Sequence, residues 1–222
     1  LVADIVAAVT TGRTMPRDDT SRDPASVIMI GLEEDAECTT IHKLSAAGAD
    51  LTRVIDLSEV DSKDFFSGSR RREFTLQEDM PALRKCIREH GGEVSLVVLD
   101  PLSALSDRPL TATVTRAIMA SLRNLAREFG ISVLVVHHPV KGRSSRNGEG
   151  LSIKDRIGGS KQLTDAARLI LGLDRDPETG ERILSVIKSN ISDDSMTPLR
   201  FKLDGAWPMH VEWLEELADS DD

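Results

Sequence analysis

One stretch constrains this chain more than any other. Ser95-Leu96-Val97-Val98-Leu99 is a run of β-favouring apolar residues that ends on a single carboxylate, Asp100. An uninterrupted apolar run has no solvent-facing side, so it reads as a strand buried on both faces, as in a parallel sheet. A carboxylate at the C-terminal end of such a strand stands where open α/β sheets bind their ligands. The plainer alternative for Asp100 is a turn residue or a helix cap.

The rest of the chain supplies the layers such a strand needs. Residues 1–11 read as a helix, closed by Thr11-Gly12 and the Pro16 region, and Val27–Leu32 as a strand. A helix is expected over Glu37–Ala47 with Gly48 at its end, then a short strand at Arg53–Leu57 and a long polar connection from Ser58 to Phe74. Helices at Gln77–His90 and Thr113–Phe129 flank the Asp100 strand, and Ile131–Val136 reads as a third buried strand. Lys141–Gly159, rich in Gly, Ser and Arg, has the composition of a long loop. Two strand pairs follow, Arg168–Leu173 with Ile183–Ile187 and Leu199–Leu203 with His210–Trp213. Their turns fall at Asp176–Gly180 and Asp204-Gly205. Helices alternating with buried strands, then strands in series, give an α/β fold: a mainly parallel sheet with an antiparallel C-terminal edge. Residues 1–214 read as one core domain and 215–222 as an acidic tail or linker.

Composition narrows the classes. At 222 residues, 40% hydrophobic and 29% charged, the chain has the make-up of a globular domain with ample length for a core. No apolar run approaches the roughly 20 residues that span a bilayer, and no signal-peptide pattern opens the chain. Cys38 and Cys86 fall in predicted helices without metal-ligand spacing, which suits reduced thiols in the cytoplasm. A net charge of −9 argues against a general basic coat for nucleic acid, but not against a local basic loop.

Three strand ends carry polar groups: Glu33-Glu34, Asp100 and His137-His138. If the strands are parallel neighbours, these groups converge on one crevice. One carboxylate beside a metal and another beside a water suit metal-assisted phosphoryl hydrolysis, the second carboxylate orienting or deprotonating the nucleophile. Glu33, Glu34 and Asp35 equally suit the acidic first turn of a helix. The His pair splits across its strand, so one ring faces the crevice and the other faces away. His138 is the one favoured for the site, and a metal centre on the pair lacks a clear third ligand.

The order Val27–Asp35, Ser95–Leu102 and Val133–Gly142, with Gly158-Gly159-Ser160, Leu163–Arg168 and Ile187-Lys188-Ser189-Asn190, resembles RecA-like ATPases of the AAA type. Within that group it is similar to the plasmid RepA-like hexameric helicases, from Leu1 to about Trp213. The resemblance implies a three-layer RecA-like core that hydrolyses ATP with Mg²⁺ at the interfaces of a ring homo-oligomer, a hexamer, acting on single-stranded DNA. It implies Glu33 as the residue activating the attacking water, Glu34 beside the nucleotide, and Asp100 as the Walker B carboxylate acting on Mg²⁺. His138 takes the sensor position, Arg168 that of an arginine finger reaching a neighbouring subunit, and Lys188 that of a basic residue near the same interface.

The basic loop fits the same picture. Lys141, Arg143, Arg146, Lys154, Arg156 and Lys161 stand against two acidic residues, as suits sequence-neutral contact with phosphates. One family element is absent: no Gly-x-x-x-x-Gly-Lys-Ser/Thr loop occurs in these residues. Leu1 onward resembles the helix that follows that loop, so the chain reads as starting just after it, without the first strand. On that reading the parent protein is the ATPase, and this stretch alone is inactive. The other classes open to the sequence are a nucleotide-responsive regulatory or assembly module and a non-catalytic subunit.

Overall fold

The computed structural model describes residues 1–18, 20–32, 39–64, 68–138, 161–191 and 196–214. Four strands, β1 (Ser26–Gly31), β2 (Val54–Asp56), β5 (Val94–Asp100) and β6 (Ser132–Val135), form a parallel sheet in the order β2-β1-β5-β6. β1 and β5 are its centre. Side chains alternate across a strand, so Ile28 and Ile30 with Val97 and Leu99 face one way, and Val27 with Leu96 and Val98 the other. Both sets are buried, which is why the sequence shows continuous apolar runs there rather than alternation.

The larger face is closed by α3 (Met80–Glu89) and α4 (Ala112–Phe129). In α4, Ile118, Met119, Leu122 and Leu125 form the helical stripe that packs down. Thr111 caps its start by accepting the Val114 N–H at 3.4 Å. The smaller face is closed by α1 (Val2–Thr11) and α2 (Ile41–Ala46), through Val6 and Leu44. Gly12 ends α1 with φ of +73°, and a Cβ there would collide with the Arg22 carbonyl oxygen, so the turn out of the helix requires glycine.

The segment expected as a polar connection is instead an antiparallel hairpin, β3 (Glu59–Asp64) with β4 (Gly68–Glu73). Its strands hide in the sequence because charge, not apolar alternation, pairs them: acidic β3 lies beside basic β4, with Asp61 opposite Arg71. Val60 is the apolar anchor, and the Phe74 N–H donates to the Ser58 carbonyl at the hairpin base. Arg72 then grips buried Asp79 with two hydrogen bonds of 2.6 and 2.9 Å.

α5 (Lys161–Ala166), unassigned by the sequence reading, precedes β7 (Leu169–Arg175), β8 (Arg182–Ser189), β9 (Leu199–Asp204) and β10 (His210–Trp213). These last four strands pair as expected within each hairpin. They form a separate antiparallel sheet, β10-β9-β8-β7, with no ladder to the parallel sheet among the described residues. A polar tie joins the two parts. The Trp213 indole N–H donates to Asp4 Oδ2 at 2.9 Å, while Arg13 bonds the other oxygen of the same carboxylate. Asp4 is only 5% exposed, and Trp213 packs on buried Phe201 at 5.1 Å between ring centroids.

Loss of this tie should be measurable by urea unfolding. Asp4→Ala is expected to lower the unfolding free energy by about 2–3 kcal/mol, and Trp213→Phe, which keeps an aromatic ring and removes the N–H, by about 1–2 kcal/mol. Hydrogen bonds also hold four surface carboxyls below the usual carboxylate range. Asp176 accepts from the Thr179 and Glu178 amides, Asp50 from Thr52, Asp18 from Arg22 and Glu128 from Arg84. A depressed folded-state value stabilises above the unfolded value and is lost as pH falls through the folded one. The urea midpoint is therefore expected to hold near neutrality and to drop below about pH 4.

Candidate functional site

The C-terminal ends of β1, β5 and β6 meet in one cleft of about 670 Å³, lined by Gly31, Asp100, Val136 and His138 among others. In-register pairing fixes the assembly. Gly31 stands opposite Asp100, and Leu99 opposite Val135. Val136 N–H donates to the Leu99 carbonyl and Leu102 N–H to the Val136 carbonyl, both at 2.9 Å, so the chain leaving β6 is stitched to the chain leaving β5. Gly31 lets the two strand ends close up, since a Cβ there would sit 3.3 Å from the Asp100 carbonyl oxygen.

A polar support absent from the sequence reading holds the β1 end. Ser58 Oγ accepts the Gly31 N–H at 3.0 Å and donates to Asp56 Oδ1 at 2.5 Å. Asp56 and Ser58 line the same cleft. Nothing in the sequence marks Ser58, because its partner lies 27 residues away.

The histidine pair divides as its strand dictates. His138 is exposed and lines the cleft, whereas His137 turns inward with both ring nitrogens out of solvent. Among the described residues no three His, Cys, Asp or Glu side chains gather into a metal cluster. Magnesium does not require one. It binds through one or two carboxylates, keeps several waters and takes the rest from phosphate oxygens, so a single carboxylate at the cleft floor fits it. Burial pushes the Cys86 thiol up, away from reactive thiolate character. Among the described residues no helix is long and apolar enough to cross a membrane.

Arg168 and Lys188 lie elsewhere, on the antiparallel sheet and outside the lining of the cleft. Arg168 is exposed at the mouth of β7, its carbonyl accepting the Asn190 N–H at 2.9 Å. Lys188 is committed within the chain. Its ammonium donates to the carbonyls of Thr164 at 2.7 Å, Asp165 at 3.3 Å and Ala167 at 2.8 Å. A single cation thus satisfies carbonyls that the end of α5 leaves without helical partners, in the residues immediately before Arg168. Lys161 is the exposed first residue of α5. Glu33, Glu34, Lys141, Arg143, Arg146, Lys154 and Arg156 lie outside the described residues, as do Cys38 and the 215–222 tail.

Residues 1–144 match the AAA domain family. No curated protein matches the chain. Solved structures share its architecture. The ATPase domain of a helicase aligns with a TM-score of 0.57 at 14% identity, covering 80% of this chain and 70% of that one. RadB recombinase aligns at 0.53 and 17% identity, covering 81% and 76%. A KaiC-like protein from the hyperthermophilic archaeon Pyrococcus horikoshii aligns at 0.53 and 15% identity, covering 85% and 76%. At such identities the likeness is one of fold, and the fold is RecA-like.

The bonds of Lys188 generate a prediction independent of any ligand. Lys188→Met strips three carbonyls of their donor and lowers stability by about 1–3 kcal/mol. Amide hydrogen exchange should localise the loss to the α5–β7 junction, with Lys188→Arg restoring part of it.

Proposed function

The chain belongs to the AAA domain family, and from that premise we propose that it is the ATPase core of a ring-shaped DNA helicase or related DNA-remodelling ATPase. The carrying observation is the position of Asp100. It is a carboxylate at the end of a central strand buried on both faces, held between Gly31 and the His138 segment at one cleft.

On this reading Mg²⁺ supplies charge neutralisation at the phosphates, and Asp100 holds it directly or through water. Glu33 accepts a proton from the attacking water, Glu34 stands beside the nucleotide, and His138 senses the terminal phosphate. Arg168, exposed and outside its own chain's cleft, reaches the nucleotide of a neighbouring subunit in a homo-hexamer, with Lys188 at the same interface. Lys141, Arg143, Arg146, Lys154, Arg156 and Lys161 contact single-stranded DNA in the ring. Residues 1–214 form the core, the protein works in the cytoplasm, and the context is plasmid or phage replication. Leu1 and the start of α1 line the cleft, so a phosphate-cradling loop entering α1 would open onto Asp100.

The test is Mg²⁺-dependent ATPase activity of the natural polypeptide that carries these residues together with that loop, with and without single-stranded DNA. Glu33→Gln is expected to lower turnover by about 10²–10⁴. Asp100→Asn should abolish the Mg²⁺ dependence. Stimulation by DNA supports the motor, and unstimulated turnover supports a nucleotide-driven switch. Turnover unchanged in both variants overturns the assignment.

A further inference from the structure

The described residues include ten large hydrophobic side chains that are exposed. Scattered singly, such residues need no explanation; gathered in one concavity, they do. Five of the ten, Ile41, Leu51, Leu203, Trp207 and Met209, line the cleft that also holds Asp100 and His138. The cleft is therefore amphipathic, with polar strand ends in one part and an apolar wall in another. Its volume of about 670 Å³ lies inside the range of roughly 300–1,000 Å³ typical of small-molecule sites.

The wall has two sides: the start of α2, and the tip and flanks of the β9–β10 hairpin. Trp207, at 59% exposure, is the only aromatic ring of that hairpin tip. A T-shaped contact with His42, 5.8 Å between centroids, holds its indole in place. An exposed tryptophan so held is a stacking surface for another flat ring.

We infer that the β9–β10 hairpin supplies the base subsite of this cleft, with Trp207 stacking on the nucleobase of a free nucleoside triphosphate. This rests on the ATPase reading, because the triphosphate is what links a flat ring to Asp100. Trp207 is thus a specificity-determining residue, and the His42 contact positions it.

The experiment compares Mg-ATP with magnesium tripolyphosphate, which has no base, on the ATP-binding polypeptide described above. Trp207→Ala should weaken ATP binding about tenfold and leave tripolyphosphate binding unchanged. Trp207→Phe should keep most of the affinity and lose the quenching of tryptophan emission that ATP causes. Where Trp207→Ala fails to fold, the quenching difference between the wild type and Trp207→Phe decides the matter. Equal weakening of both ligands, or ATP binding unchanged in Trp207→Ala, overturns the inference while leaving the ATPase reading intact. Quenching by an oligodeoxynucleotide and not by ATP also overturns it, assigning the surface to nucleic acid. The ATPase reading fails separately, where Asp100→Asn binds both magnesium ligands as the wild type does.

Discussion

Burial of β5 on both faces is the constraint from which the rest follows. Val97, Val98 and Leu99 are wholly out of solvent, and each side chain of that kind adds about 1.5–3 kcal/mol when buried. A strand so enclosed can satisfy its backbone only through the strands beside it, which fixes β1 and β6 in register. It also demands cover above and below, which α3 and α4 supply on one side and α1 and α2 on the other. Only the end of such a strand can carry a charge, and Asp100 is that charge.

The two faces are not equally endowed. The α3–α4 side holds an extensive core reaching from Val60 to Ile131, whereas the α1–α2 side has five fully buried residues. The antiparallel sheet reinforces α1 by a different route. Asp4, in the first turn of α1, has its carboxylate shared between Arg13 and Trp213. A carboxylate that is nearly all buried is costly unless every oxygen is met, and here both are. The bond therefore specifies where β10 lies against the helix that borders the cleft, and it does so directionally, which apolar packing alone does not.

The legible parts of this fold were those in which one physical effect dominated. Double-sided burial writes itself as apolar runs, so β1, β5 and β6 were readable, as was the order of polar groups at their ends. Amphipathic α3 and α4, closed by Gly91 and Gly130, were equally plain. The β3–β4 hairpin was not, because its pairing runs on opposite charges and its composition is that of a solvated loop. Short α5 escaped for a related reason: its end is stabilised by Lys188, 21 to 24 residues later in the chain. Ser58 and Trp207 share this character. Each acts through a partner distant in sequence, and a single polar or aromatic residue carries no periodic mark. Sequence reading found the floor of the cleft and missed its wall.

The electrostatics of the cleft say what the wall and floor still need. Its lining carries Asp4, Asp56 and Asp100 against one lysine, Lys43, and Asp4 is neutralised by its own partners. A polyphosphate entering such a place meets more negative charge than positive. Lys188 does not redress this, since its ammonium is spent on the end of α5. Divalent metal on Asp100 reverses the sign locally, and backbone amides at the start of α1 offer further positive ends. The apolar wall adds attraction that is indifferent to charge. A ligand that combines a flat ring with a metal-bound phosphate chain answers both halves of the cleft at once, whereas an anion without the ring, or a ring without the metal, answers only one.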